Sequence, residues 1–241
     1  MPATAEHGGL FVTGTGTGVG KTILTASLAY FLRRQGIDVG VMKPLETGVK
    51  DTSKAGEDGV LLRWAAQTDE PLEQTCPYRF VAPAAPATAA RLEQRTVDYS
   101  QLVADTKAQI ARHRFCLIEG AGGLMVPIAG GFLVADLVRD CGLPLLVVAD
   151  VRLGTINQTL QTLLAARYLD LEVAGYILNR MPQEPSVAEK HAPHDLASLT
   201  REELLAVLPE LSGNAEEMIA ALAHRLPELP SWPLLKRLLP R

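Results

Sequence analysis

Aromatic residues are scarce in this chain: Phe, Trp and Tyr make up 5% of its 241 residues. Packing therefore falls to Ala, Leu and Val, and the 47% of apolar residues is enough for a sizeable core. Cysteine is scarce too. Cys76, Cys116 and Cys141 are an odd number without a C-x-x-C pair, which argues against a disulfide framework and a zinc site and fits a reducing cytoplasm. No apolar run reaches the ~18 residues of a membrane span. Residues 1–7 have no basic segment leading into an apolar one, so neither membrane insertion nor export is expected. A long Lys/Arg run is also missing and the formal charge is −4, so nucleic acid is not an expected partner. The length suits one domain, 1–241, with 226–241 as a proline-rich tail expected to pack on the surface.

What the chain does have is a glycine-rich turn. Residues 9–12 are a short apolar run, residues 13–22 read TGTGTGVGKT, and an Ala- and Leu-rich stretch of helical spacing follows. Strand, glycine loop, Gly-Lys-Thr and helix is the layout of a phosphate-binding P-loop. The glycines let backbone N–H groups approach an anion, the helix N-terminus adds its dipole, Lys21 adds a point charge, and the Thr22 hydroxyl is suited to Mg²⁺. The common pattern G-x-x-x-x-G-K-[ST] asks for glycine at 15, where this chain has Thr15; the outer glycine is Gly14, so the loop is one residue longer.

Further apolar runs at 39–42, 115–118, 144–149 and 173–178 alternate with helical patterns. This predicts an α/β fold of the P-loop NTPase type, a mostly parallel sheet with helices on both faces. In such sheets, ligands bind beyond the carboxyl ends of strands. Two charged residues stand at such ends: Lys43 after 39–42, and Glu119 after 115–118 in the position of a Mg²⁺-holding carboxylate. Asp58 precedes a helix at 60–67 and suits an N-cap. Residues 71–86 read as a long ordered loop beside the site, and 100–112 as a helix capped by Ser100. Residues 183–195, with His191 and His194, read as a solvated loop; 200–208 leaves helix and strand undecided.

Five stretches occur together in order: Gly14-Thr-Gly-Thr-Gly-Val-Gly-Lys-Thr22, Lys43-Pro-Leu-Glu-Thr-Gly48, Glu119-Gly-Ala-Gly-Gly123, Leu153-Gly-Thr-Ile-Asn157 and Gly175-Tyr-Ile-Leu-Asn179. Over residues 9–209 the chain resembles the dethiobiotin synthetases, whose longer P-loop it shares. The resemblance implies ATP-dependent joining of CO₂ to 7,8-diaminopelargonic acid through a carbamate and a carbamic–phosphoric anhydride. It implies that Gly16, Thr17, Gly18, Val19, Gly20, Lys21 and Thr22 hold ATP, and that Thr22, Asp58 and Glu119 bind Mg²⁺. Lys43 would face carbamate and γ-phosphate, with Lys21 and Thr17 beside it in the catalytic set. Thr17, Lys43, Thr47 and Gly122 would orient the diamine. Asn179 would read the adenine edge beside a base pocket lined by Leu205 to Pro209. The substrate carboxylate would sit on Gly154, Thr155, Ile156 and Asn157 of a second subunit, which makes a homodimer the implied state.

Two features depart from the family pattern: Gly16 and Gly18 stand where many members carry acids. Rival classes fit less well. A ParA/MinD-like ATPase would carry a second lysine early in the loop, and residues 13–19 hold none. A cobyrinic-acid synthetase would need a glutaminase domain, for which this length has no room.

Overall fold

The computed structural model describes residues 8–240, so the reading of residues 1–7 as lacking an export signal lies outside it. Strand β1 (Gly9–Gly14) is buried along its whole length, and α1 (Lys21–Arg34) follows the glycine turn. Gly36, in the left-handed region at φ 74°, ends that helix. Next come β2 (Val39–Met42), β3 (Leu45–Thr47), α2 (Glu57–Ala66), α3 (Leu72–Thr75), β4 (Tyr78–Phe80) and α4 (Pro86–Leu92). The stretch 71–86 is thus not a continuous loop, because β4 pairs in parallel with β3. Helix α5 (Tyr99–Arg112) is capped by Asp98, which accepts from the Gln101 N–H at 2.9 Å; Ser100 lies two residues inside.

Strand β5 (Phe115–Gly123) runs through the Glu-Gly-Ala-Gly-Gly stretch and leads into an antiparallel pair, β6 (Pro127–Ala129) and β7 (Phe132–Leu133). Then follow α6 (Val134–Cys141), β8 (Leu145–Asp150), α7 (Thr155–Tyr168) and β9 (Val173–Met181). Helix α8 (Val187–Leu199) occupies most of the segment expected to be a solvated loop. Ser186 and Glu189 cap its start reciprocally, and Ala192 and Leu196, four residues apart, bury its inner face. Those two terms outweigh the missing donor of Pro193. The undecided stretch is a strand, β10 (Leu204–Pro209), and α9 (Ala215–Arg225) and α10 (Trp232–Lys236) close the chain.

The main sheet has the order β10-β9-β8-β1-β5-β2, and every neighbouring pair is parallel. Successive residues of a strand point to opposite faces, so Phe11 joins one core while Leu10 and Val12 join the other. Side chains of α4, α5, α6, α7 and α8 build the first core, and those of α1, α2, α9 and α10 the second. Burial on both faces explains the unbroken apolar strands. Leu226, Leu235 and Leu239 are buried in the second core, so the tail is woven into the packing rather than laid over the surface. Cys76, Cys116 and Cys141 are buried and unpaired. No helix among the described residues is long and apolar enough to cross a membrane.

Strand β1 is central. From β1 the chain goes out to β2, returns to β5 between the two, and then crosses to β8, β9 and β10 on the other side. The crevice beyond the carboxyl ends at such a reversal is where open α/β sheets bind ligands.

Candidate active site

The glycine turn lies in that crevice. Gly18 (φ 77°) and Gly20 (φ 94°) are left-handed, a backbone conformation that loops cradling an anion use and that favours glycine. Gly20 is required twice over, because a Cβ there would lie 2.0 Å from Asn179 Nδ2. The Asn179 amide in turn donates to the Val19 carbonyl at 3.0 Å, and the Thr15 N–H donates to the Val148 carbonyl at 2.9 Å. Gly16 differs from Gly18: a Cβ at 16 meets nothing within 4 Å and the backbone there is not left-handed. An acid is therefore sterically admissible at 16 but strained at 18.

Lys21, 6% exposed, lies along the loop with Nζ 3.0 Å from the Gly16 carbonyl. Its pKa is lowered to about 8, first by burial and then by the charge of Lys43, against the pull of Glu119 and Asp58. Lys43, at the end of β2, is 3% exposed. Its ammonium sits 2.6 Å from Glu119 Oε1, 2.7 Å from Asp58 Oδ2 and 3.5 Å from the Gly120 carbonyl. Burial works against that charge, but the two carboxylates outweigh it and raise the pKa. Asp58 is held low because Lys43, Thr22 and Lys21 outweigh its burial. Glu119, wholly buried, is pushed up by burial despite Lys43. The Thr22 hydroxyl closes the ring, 2.7 Å from Asp58 Oδ1 and 2.9 Å from Glu119 Oε1; its single proton serves one of them at a time.

Asp58 is not the N-cap of α2. That position is Gly56, and Asp58, two residues inside, turns its carboxylate into the ring. The donors Thr22 Oγ1, Asp58 and Glu119 are all hard oxygens, the set that Mg²⁺ prefers. Glu119 Oε2 is buried without a partner, a spare acceptor consistent with such an ion. His191 and His194 form no metal cluster: among the described residues none holds three or more His, Cys, Asp or Glu.

This ring opens on a cleft of about 750 Å³. Thr17, Thr47 and Gly122 line it together with Lys21, Thr22, Lys43 and Asp58, so the structure gathers these expected residues in one place. Others it does not. Gly154, Thr155 and Ile156 line a separate cleft of about 390 Å³ between α7 and α8, and the side chain of Asn157 is exposed. Leu205 is fully buried in the second core, where a Cβ on Gly175 would meet it at 2.6 Å, and Pro209 is half-buried at the end of β10.

Two cleft residues escaped the sequence reading. Arg180, left-handed at φ 63°, donates to the Gly18 carbonyl at 2.7 Å and pairs with Asp150 Oδ2 at 3.1 Å, tying the loop to the ends of β8 and β9. Its signal was slight: a cation next to Asn179 at a strand end. Glu46 lines the cleft from β3, inside a stretch singled out for other residues.

The chain matches the family described as "AAA domain" over residues 8–217. Its fold is that of MinD from Pyrococcus horikoshii (TM-score 0.55, 20% identity, 95% of this chain and 93% of that one). It is also that of a ParA family ATPase from Chlorobium tepidum (TM-score 0.53, 14% identity, 93% and 100%). At such identities the likeness concerns the fold alone. Among curated proteins, the chain is 45% identical to the ATP-dependent dethiobiotin synthetase BioD of an Anaeromyxobacter species (strain K), covering 83% of this chain and 89% of that one. It is 36% identical to that of Bacillus velezensis, covering 92% and 95%. A P-loop with this ring of lysine, carboxylates and hydroxyl, and relatives this close over most of both lengths, have one consequence: the chain belongs to the ATP-dependent dethiobiotin synthetases, ligases of biotin biosynthesis.

Proposed function

We propose that the cleft carboxylates 7,8-diaminopelargonic acid with CO₂ and closes the ureido ring of dethiobiotin, converting ATP to ADP and phosphate. One amine adds to CO₂ and loses a proton, giving a carbamate. A carbamate oxygen attacks the γ-phosphorus and ADP leaves. The second amine attacks the carbonyl of the resulting anhydride, and phosphate leaves as the ring closes. The protein's task in such chemistry is positioning and charge stabilisation.

The backbone from Gly16 to Gly20 cradles the phosphates, and Lys21 follows the charge that develops on the γ-phosphoryl group. Thr22, Asp58 and Glu119 would hold Mg²⁺, which when bound neutralises phosphate charge. Lys43 is the catalytic cation, because its Nζ is held by both carboxylates and its side chain lines the cleft, where it can serve the carbamate and the anhydride. Thr17, Thr47 and Gly122 orient the diamine. Asn179 donates an amide N–H to Val19, which leaves Oδ1 to accept from an adenine amino group; half-buried Pro209 has surface to offer the base, whereas Leu205 is fully buried. Arg180 keeps the loop in register with β8 and β9.

Gly154, Thr155, Ile156 and Asn157 offer the N-terminus of α7 to the substrate carboxylate. The first three line a cleft apart from Lys43, which supports a homodimer in which each copy completes the other's site. The chain acts as one unit, with its tail in the core, in the cytoplasm and without nucleic-acid or membrane partners.

The observation that carries this reading is the buried Lys43 held by Asp58 and Glu119 at the mouth of the P-loop. Phosphate release from ATP and Mg²⁺ with bicarbonate, with and without the diamine, tests it. Diamine-dependent release with dethiobiotin seen by mass spectrometry is the expected result. Release indifferent to the diamine rejects the reaction and leaves a nucleotide-binding protein.

A further inference from the structure

Glu46 has no task in the scheme above, yet it lines the cleft at 5% exposure and its carboxylate accepts hydrogen bonds from four groups. Its carboxylate crosses from β3 to the start of α2. Oε1 accepts the Asp58 N–H at 2.8 Å and Oε2 accepts the Gly56 N–H at 3.1 Å. The Gly59 N–H reaches both oxygens at 3.3 and 3.4 Å, and the Cys76 thiol donates to Oε2 at 3.3 Å. Helix α2 needs this. Its first N–H groups have no partners within the helix, and the cap residue is Gly56, which has no side chain to offer. A carboxylate from another strand supplies what a local Ser or Asp ordinarily would, with the favourable sign for a helix N-terminus.

The flanking glycines are fitted to it. A Cβ on Gly56 would lie 2.3 Å from Glu46 Oε1, and one on Gly59 would lie 3.0 Å from Oε2. The residue pinned between them is Asp58, whose own carboxylate reaches Lys43 and Thr22 at 2.7 Å each.

We propose that Glu46 is a positioning residue: by capping α2 from β3 it holds Asp58 in the Lys43–Thr22–Glu119 ring and couples the Thr47 strand to the cation side of the site. This rests on the reading of Asp58 as a Mg²⁺ ligand. Residues that orient a metal ligand commonly change metal affinity by about 10- to 100-fold when replaced.

The experiment compares Glu46→Gln, Gly56→Ala and Asp58→Ala with the unaltered protein. Amide hydrogen exchange is followed first, without metal. Glu46→Gln is expected to speed exchange at Gly56, Asp58 and Gly59 by about tenfold or more, since hydrogen bonds to a charged acceptor are lost or weakened. The Mg²⁺ concentration for half-maximal phosphate release should then rise by about tenfold, while affinity for metal-free ADP, held by the P-loop, stays as it was. Gly56→Ala keeps the carboxylate but drives a methyl group against Oε1, and must give the same pair of changes. Unchanged exchange in both variants overturns the cap. Faster exchange with an unchanged Mg²⁺ requirement, where Asp58→Ala does raise it, overturns the coupling. An unchanged requirement in Asp58→Ala rejects Asp58 as a ligand and with it the role given to Glu46; the exchange rates tell that failure from failure of the cap.

Discussion

Two clusters of charge stand at different points along the same two strands. Where β2 ends beside the middle of β5, Lys43 and Glu119 meet Asp58 and Thr22. At the amino ends, Asp38 and His113 meet each other at 3.1 Å, and the other ring nitrogen of His113 lies 3.2 Å from Glu70. Arg112 and Gln109 add bonds of 3.2 and 2.8 Å to Glu70. Both networks are dense, and each holds a carboxylate below its usual range: Asp58 in the first, Asp38 and Glu70 in the second. What separates them is what they face. The ring of Lys43, Asp58, Glu119 and Thr22 opens on a large cleft beside the glycine loop. The amino-end cluster, with Asp38 more than half exposed, satisfies its charges among its own side chains, and the His113 ring lies so near Gly40 that a Cβ there would be 2.2 Å from it. A charge cluster is a candidate site when it borders space that a ligand can fill; otherwise it is a clasp.

Substitutions can break or sharpen that contrast. The largest effect is expected from Lys43→Ala, which removes the cation from the ring. Ring closure should fall by about 10³-fold or more, while ADP still binds by calorimetry and the fold persists by circular dichroism. Loss of the fold would make Lys43 a structural clasp like His113.

The next effect is one of pH. Lys21, lowered to about 8 by burial and by Lys43, titrates within reach of ordinary buffers. A bound phosphate favours the charged form and raises that pKa. Nucleotide affinity should therefore be level below pH 8 and weaken above it, approaching about tenfold per pH unit until the bound form also titrates. Calorimetric titration with ADP from pH 7 to 9.5 checks this. Lys21→Arg should remove the bend, and a bend that survives that change would assign it to another group.

Arg180→Ala is expected to have a smaller effect, raising KM for ATP about fivefold with kcat little altered, because a partly exposed ion pair and one hydrogen bond to the loop are lost. A fall in kcat alone would place Arg180 in the chemistry instead.

The smallest effect belongs to the other end of the strands. His113→Ala should leave turnover untouched and cost about 1 kcal/mol by urea unfolding at neutral pH. The pH dependence has a fixed sign. Asp38 and Glu70 are depressed in the folded state, where His113 and their other hydrogen-bonding partners outweigh burial, so their contribution is present above the unfolded carboxylate range and is lost as pH falls through the folded values. The variant should flatten the acid limb of the stability profile. A large loss of activity would erase the distinction between the two clusters.

Much of this molecule is written locally. Apolar runs placed β1, β2, β5, β8 and β9, with β2 and β8 within a residue, but β5 and β9 read short because they continue through 119–123 and 179–181; glycine with Lys21 and Thr22 marked the loop. The misreadings share a cause. Asp58 before a helix looks like an N-cap, because a short window cannot see that Glu46 already fills that role. Residues 183–195 look like a loop, because polarity and Pro193 dominate locally while the burial of Ala192 and Leu196 belongs to a distant contact. Arg180 carries no motif and gains meaning only beside Gly18.

The sequence by itself determined the alternation of strands and helices, the P-loop and the charged residues at strand ends, because periodicity and glycine conformations act over a few residues. The tertiary structure alone decided which ends become neighbours. Insertion of β5 between β1 and β2 sets Glu119 between the loop and Lys43, and the cap on α2 turns Asp58 toward both. Coulomb and hydrogen-bond energies depend on distances of a few ångströms, and only the packed sheet brings residues so far apart in the chain within that reach.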